Sequence, residues 1–186
     1  MKKKITNHKT IILFLIFSTS FINIGYGKDK MEKIIEKVKE YETKGCIAAF
    51  GLGVSSNFTF GLEKAKADAR ANIVEIKGKL ISDFIKELCN KLNQDECDEL
   101  KKYFGSSGII SGTLVIEQGQ FQTKENKKQK VFTYYVIMVI SPKVISNEIE
   151  AKLKKVENEN LYEIYQQSAF KKELEEMTEK YAENFK

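Results

Sequence analysis

The strand CIAAFGLGV and the helical pattern that follows it constrain the fold more than any other feature of the chain. Alternation along Cys46 to Val54 puts Ile47, Ala49, Gly51 and Gly53 on one face. Cys46, Ala48, Phe50, Leu52 and Val54 take the other. The first face loses side-chain volume along its length. After the short link SSNFT comes a helix from about Phe60 to Leu92, with Leu62, Ala65, Ala69, Ile73, Ile76, Leu80, Phe84 and Leu88 recurring every three or four residues. Ala65, Ala67, Ala69 and Ala71 make one side of it thin. Small residues on both partners let the two backbones approach, and a bulkier side chain there would overpack the contact. Gly51, Gly53, Ala65 and Ala69 are therefore expected to form a helix-on-strand packing motif.

Inside this helix sits Arg70, the chain's single arginine among 31 basic residues. Its planar guanidinium carries five donors and can tie to carbonyls or a carboxylate as lysine cannot. The expectation is that Arg70 pins the helix to a loop; the alternative is an anion or partner contact. A nucleotide reading of Gly51-Leu52-Gly53 fails. The third glycine is missing, and no acid-ended parallel strand follows at the required distance.

The rest of the chain sets the class. Lys28 to Glu42 is amphipathic, with Met31, Ile34, Ile35 and Val38 on one side, and Gly45 ends it. Asn93 and Glu96 have the spacing of a capping box, so a short helix is expected to restart there and run to Phe104. Gly105 to Gly108 is a turn cluster. IISGTLVIE (Ile109 to Glu117) and VFTYYVIMVI (Val131 to Ile140) are predicted strands of an antiparallel hairpin, joined by the exposed loop QTKENKKQK. Ser141-Pro142 starts further helix, interrupted near Glu157 to Asn160. Phe170, Leu174, Met177, Tyr181 and Phe185 form a last apolar stripe, suited to packing on its own domain or to a partner helix. This order predicts an α+β fold: a small antiparallel sheet packed by a long Ala-rich helix, with additional C-terminal helices.

Charge and composition narrow the function. Lys2, Lys3, Lys4 and Lys9, the uncharged apolar run from Thr10, and Gly25-Tyr26-Gly27 follow the order of a secretory signal peptide over residues 1–27. An uncleaved anchor is the rival, disfavoured by the polar and glycine residues in the run's second half. Processing would leave 27 basic against 26 acidic residues. That balance gives no footprint for nucleic acid and no general pull toward anionic lipid. The single histidine, His8, would leave with the signal. Without imidazole, Ser-His-Asp and Cys-His catalysis are closed, and so is a histidine-bearing zinc site. A carboxylate pair stays open by residue type, but the acids are scattered over solvated helix faces. The expectation is a non-enzyme without cofactor or metal.

Three cysteines occur at Cys46, Cys89 and Cys97. On one continuous helix Cys89 and Cys97 would lie about 12 Å apart, too far to bridge. If Asn93 breaks the helix, the two can meet across the corner. Cys46 would then remain as a buried strand residue.

A strand ending in G-x-G, a polar link and a helix with A-x-x-x-A-R-A-N, here Phe50 to Gly53, Ala65 and Ala69 to Asn72, resembles the Lpp-twenty bacterial lipoprotein family. The following SGTLVIE and FTYYVIMVI segments fit as well, so the resemblance covers Cys46 to Ile140. It implies a fold rather than an activity, because its motifs are packing motifs and bring no catalytic residues. The chain departs from the family in having no lipid-bearing signal cysteine. The organisation expected is a signal peptide (1–27), an N-terminal helix (28–45), an Lpp-twenty-like α+β domain (46–141) and a C-terminal helical extension (142–186). The function expected is that of an exported, non-catalytic component of a periplasmic or outer-membrane assembly. Its partners would be envelope proteins, in outer-membrane or flagellar assemblies by resemblance, reached through the sheet edge or the C-terminal helices. The rival is a periplasmic carrier of a small apolar ligand or lipid.

Overall fold

The computed structural model describes residues 28–104, 112–156 and 158–185. The expected signal peptide, the turn cluster at Gly105 to Gly108 and the start of the strand expected at Ile109 lie outside the described residues. The elements run α1 (Lys28–Thr43), β1 (Ile47–Ser55), α2 (Phe58–Cys89), α3 (Gln94–Phe104), β2 (Thr113–Phe121), α4 (Lys124–Gln129), β3 (Phe132–Ile140), α5 (Pro142–Lys155), α6 (Glu159–Gln166) and α7 (Ala169–Asn184). The fold is α+β, with a three-stranded antiparallel sheet in the order β1-β3-β2. β3, the most continuously apolar strand, takes the centre, and both its neighbours run against it.

Local chemistry sets most boundaries. Asn57 caps α2 by accepting from the Phe60 amide at 3.0 Å. The Asn93 and Glu96 side chains exchange bonds with each other's amides at 3.0 and 3.1 Å, the reciprocal cap expected from their spacing. Ser141 caps α5, with Pro142 in its first turn. Three expectations need correction. The linker QTKENKKQK is not all loop: Thr123 caps the short helix α4, and Lys130 ends it in the left-handed region at φ 56°. β2 extends to Phe121, beyond the expected end at Glu117, because a bulge at Ile116 shifts the register and re-pairs Gln118 to Phe121 with β3. The C-terminal helices break twice, the second time at Gln167-Ser168, where the Ser168 hydroxyl turns to cap α7.

α2 lies across the sheet face that carries Ala49, Gly51 and Gly53. Its innermost line is Gly61, Ala65, Ala69, Ile73, Lys77, Ile81, Phe84 and Leu88. Leu62, Ile76 and Leu80, expected on that line, are only partly buried beside it. Ala67 and Ala71 are exposed, so the thin side of the helix narrows to Ala65 and Ala69. One apolar cluster joins this face to α3, α5, α6 and α7, with Phe84 packed against Phe104, Tyr165 and Phe170. The opposite sheet face meets α1 and the end of α7, where Cys46, Ala48 and Val139 pack with Tyr41, Tyr181 and Phe185. The stripe of α7 thus spans both clusters: Phe170 and Leu174 on one, Tyr181 and Phe185 on the other. It packs within the molecule.

Candidate functional site

The expected packing motif forms as a direct helix-on-strand contact. Ala65 and Ala69 are fully buried. A Cβ added at Gly51 would stand 2.8 Å from the Ala69 Cα and overlap the Ala69 nitrogen and the Ala65 carbonyl. One added at Gly53 would stand 2.8 Å from the Ala65 nitrogen. These four residues let the helix and strand backbones approach.

Arg70 does not pin the helix. It is exposed and makes no hydrogen bond or ion pair among the described residues. The pins are its neighbours. Asp68 accepts from the Leu52 amide at 2.8 Å, and Asn72 donates to the Phe50 carbonyl at 2.8 Å. Lys64 reaches the Val54 carbonyl at 3.5 Å. Residues 64, 68 and 72 are four apart on a helix, a rise of about 6 Å. Residues 54, 52 and 50 are two apart on a strand, about 6.6 Å. The two periods nearly match, so one helix face runs beside the outer backbone of β1 and occupies part of its edge. Unpaired edge groups otherwise recruit foreign strands. Asp68→Ala is expected to lower stability by about 1–2 kcal/mol, the range for a hydrogen bond to a charged group at a partly exposed site. Arg70→Lys should stay within about 0.5 kcal/mol. Urea titrations of both variants check the pair, and a larger loss for Arg70→Lys would contradict it.

The far edge of the sheet is treated differently. Among the described residues no strand pairs with the outer side of β2. Leu114 is 52% exposed and Val115 43% exposed. They lie on opposite faces of the strand, so apolar surface flanks the edge on both sides. The bulge divides this edge into Thr113–Val115 and Glu117–Phe121. Just past the bulge, Glu117 accepts from the Tyr135 hydroxyl at 2.9 Å and pairs with Lys37 of α1. Burial pushes the Glu117 carboxyl up, but the bonds from Lys37 and Tyr135 outweigh it and hold the group below the usual glutamate range. A depressed carboxyl contributes stability above its unfolded value of about 4.3, and loses it as pH falls through the folded value. The Tm difference between the native chain and Glu117→Gln should therefore be largest near neutrality and close below about pH 4. A difference that persisted unchanged in acid would contradict the assignment.

A cleft of about 360 Å³ opens between α5 and α7, lined by Ser146, Glu150, Lys171, Leu174, Glu175 and Thr178 among others. Lys171 donates to Glu150 at 2.7 Å and to the Ser146 hydroxyl at 3.3 Å, and lies over the Tyr165 ring. Burial lowers the Lys171 pKa, but Glu150, Tyr165 and Glu175 raise it further, so the group stays an ammonium. A charged, internally paired lysine is a poor nucleophile. Glu42 and Glu173, whose carboxyls burial pushes up, do not line the cleft. The buried Lys77 donates to Glu148 at 2.5 Å and ties α2 to α5.

Cys89 and Cys97 are joined by a disulfide across the corner between α2 and α3, with Cα atoms 5.0 Å apart. Cys46 is free and buried, its thiol pushed up to about 11 by burial. Sequence reasoning missed the edge pins and Lys77. Asp68 and Asn72 carry one signal that marks them, their i,i+4 spacing beside the alanines; Lys77 carries none beyond its place on the apolar line. Comparison with family models, with curated proteins and with solved structures finds no match to this chain.

Proposed function

We propose that the chain is an exported, non-catalytic cell-envelope protein that binds another envelope protein by adding a partner strand to the edge of β2. The observation that carries this reading is the asymmetry of the two sheet edges. β1 is occupied by side chains of α2, whereas β2 presents Leu114 and Val115 half-exposed beside an edge with no paired strand among the described residues. Strand addition takes affinity from main-chain bonds and specificity from alternate side chains. Apolar surface at an open edge serves both, and the bulge confines the partner to one stretch. The C-terminal stripe, the other expected contact, is already packed within the fold. Export is supported by the basic-apolar-small order of residues 1–27 and by the Cys89–Cys97 bridge, which suits an oxidising compartment. The membership in outer-membrane or flagellar assemblies rests on the Lpp-twenty resemblance alone.

The carrier reading has less to use. The cleft between α5 and α7 is lined largely by charged and hydroxyl groups, which suit an apolar ligand poorly. The test is capture of partners from cells by the tagged native chain and by Leu114→Lys/Val115→Lys. A defined envelope protein held by the native chain and lost from the variant, with Tm unchanged, supports the proposal. Equal capture by both overturns it.

A further inference from the structure

We infer that the end of the sheet where β1 and β2 finish is a docking surface for an anionic phospholipid bilayer. Sheet register assembles this end. Ser55 of β1 pairs with Phe132 of β3, and Phe121 of β2 pairs with Thr133. The segment entering α2 and the whole of α4 are therefore brought to one tip. On the α2 side stand Phe58 and Phe60, 58% and 68% exposed; Val54, 47% exposed, stands on the opposite face with Thr133. Phe58 rests edge-on against Tyr134 at 5.6 Å, so its ring is held outward by the sheet beneath it. On the α4 side stand Lys127, Lys128 and Lys130, all exposed and without an ion pair among the described residues. Asn126 anchors α4 to the opposite sheet face from α2 through Thr133, so aromatics and cations flank the tip from both sides. The charge is one-sided. Glu63, in the first turns of α2, is already paired with Lys66 at 2.8 Å, and Glu125 is the single acid of α4.

This pattern matches a bilayer surface in both of its requirements. Apolar rings enter the headgroup–acyl boundary, and lysines meet the negative surface potential within a Debye length. The near-neutral balance of residues 28–186 gives no general attraction, so the effect is confined to this tip. Nothing in the fold needs Phe60 exposed: Asn57 caps the helix through the Phe60 backbone amide, and the ring itself makes no ring contact among the described residues.

The test is co-sedimentation of the protein, as purified from producing cells, with phosphatidylglycerol–phosphatidylcholine vesicles and with phosphatidylcholine alone. Binding to the anionic vesicles is expected, weakening as salt rises. Lys127→Glu/Lys128→Glu should lower the partition coefficient more than about tenfold. Phe60→Ser should lower it several-fold, and the charge reversal Lys86→Glu, in the last turn of α2 far from the tip, should leave it unchanged. Unchanged thermal melting shows that each variant is folded. Absence of binding at low salt overturns the inference. So does equal binding of the native chain and the tip variants, which would place the contact elsewhere on the chain. Loss of a protein partner from the tip variants, without vesicle binding by the native chain, would overturn it too and make the tip a protein contact. Failure of the β2-edge proposal leaves this result unaffected, because the two variant sets do not overlap.

Discussion

Gly51→Val is expected to destabilise the protein by about 3 kcal/mol or more, the upper range for overpacking. The added Cβ meets backbone, not the end of a flexible side chain: the Ala69 nitrogen and Cα and the Ala65 carbonyl all lie within contact. Relief requires α2 to lift off β1. Lifting would stretch the Asp68–Leu52 and Asn72–Phe50 bonds and uncover the Ala65–Ala69 contact. Such a loss is a large fraction of a typical stability of about 5–15 kcal/mol. It corresponds to a fall in Tm of roughly 6–12 °C for a domain of this size. Gly78 supplies the control on the same helix. It faces open space, with nothing near a would-be Cβ, so Gly78→Ala should raise stability by up to about 1 kcal/mol. Thermal melts of the two variants read the difference. Similar changes in both would mean that the α2–β1 contact is looser than this packing requires.

The second large effect concerns the buried cation. Lys77 is 2% exposed, and its ammonium donates to Glu148, a carboxylate that also lies 3.7 Å from the Lys152 ammonium. Glu148→Ala should cost about 3 kcal/mol, because it leaves a desolvated charge uncompensated. Lys77→Met, which removes the charge and keeps the volume, should be near neutral or stabilising. The double variant should then recover most of the loss from Glu148→Ala, a coupling that a double-mutant cycle in urea reads directly. Additive losses would show that Lys77 has another way to satisfy its charge.

Gly51 and Lys77 differ in how far the sequence reveals them. Gly51 and Ala65 announce themselves, because missing side chains at matched periods have few uses besides close backbone packing. The Asn93–Glu96 cap and Ser141-Pro142 are equally local, and their geometry follows from spacing alone. A lysine on a helix, by contrast, is ordinarily solvated. The burial of Lys77 depends on α5 arriving 71 residues later in the chain with Glu148 in place. Arg70 departs from its expected role for a related reason. Rarity does not fix a residue's partner, and the pinning falls to the commoner Asp68 and Asn72, whose roles depend on how far across β1 the helix lies. The extension of β2 to Phe121 was hidden because a bulge breaks the simple alternation that reveals a strand. The edge asymmetry that carries the functional reading emerges only once β3 is known to sit in the centre.

The proposed partner site is the outer edge of β2. Its most direct test is a photo-crosslinking amino acid placed in living cells at Leu114 and, separately, at Arg70 on the exposed side of α2. The expected result is a discrete adduct with one envelope protein from position 114 and none from position 70. No adduct at 114, or the same adduct from both positions, would contradict the claim.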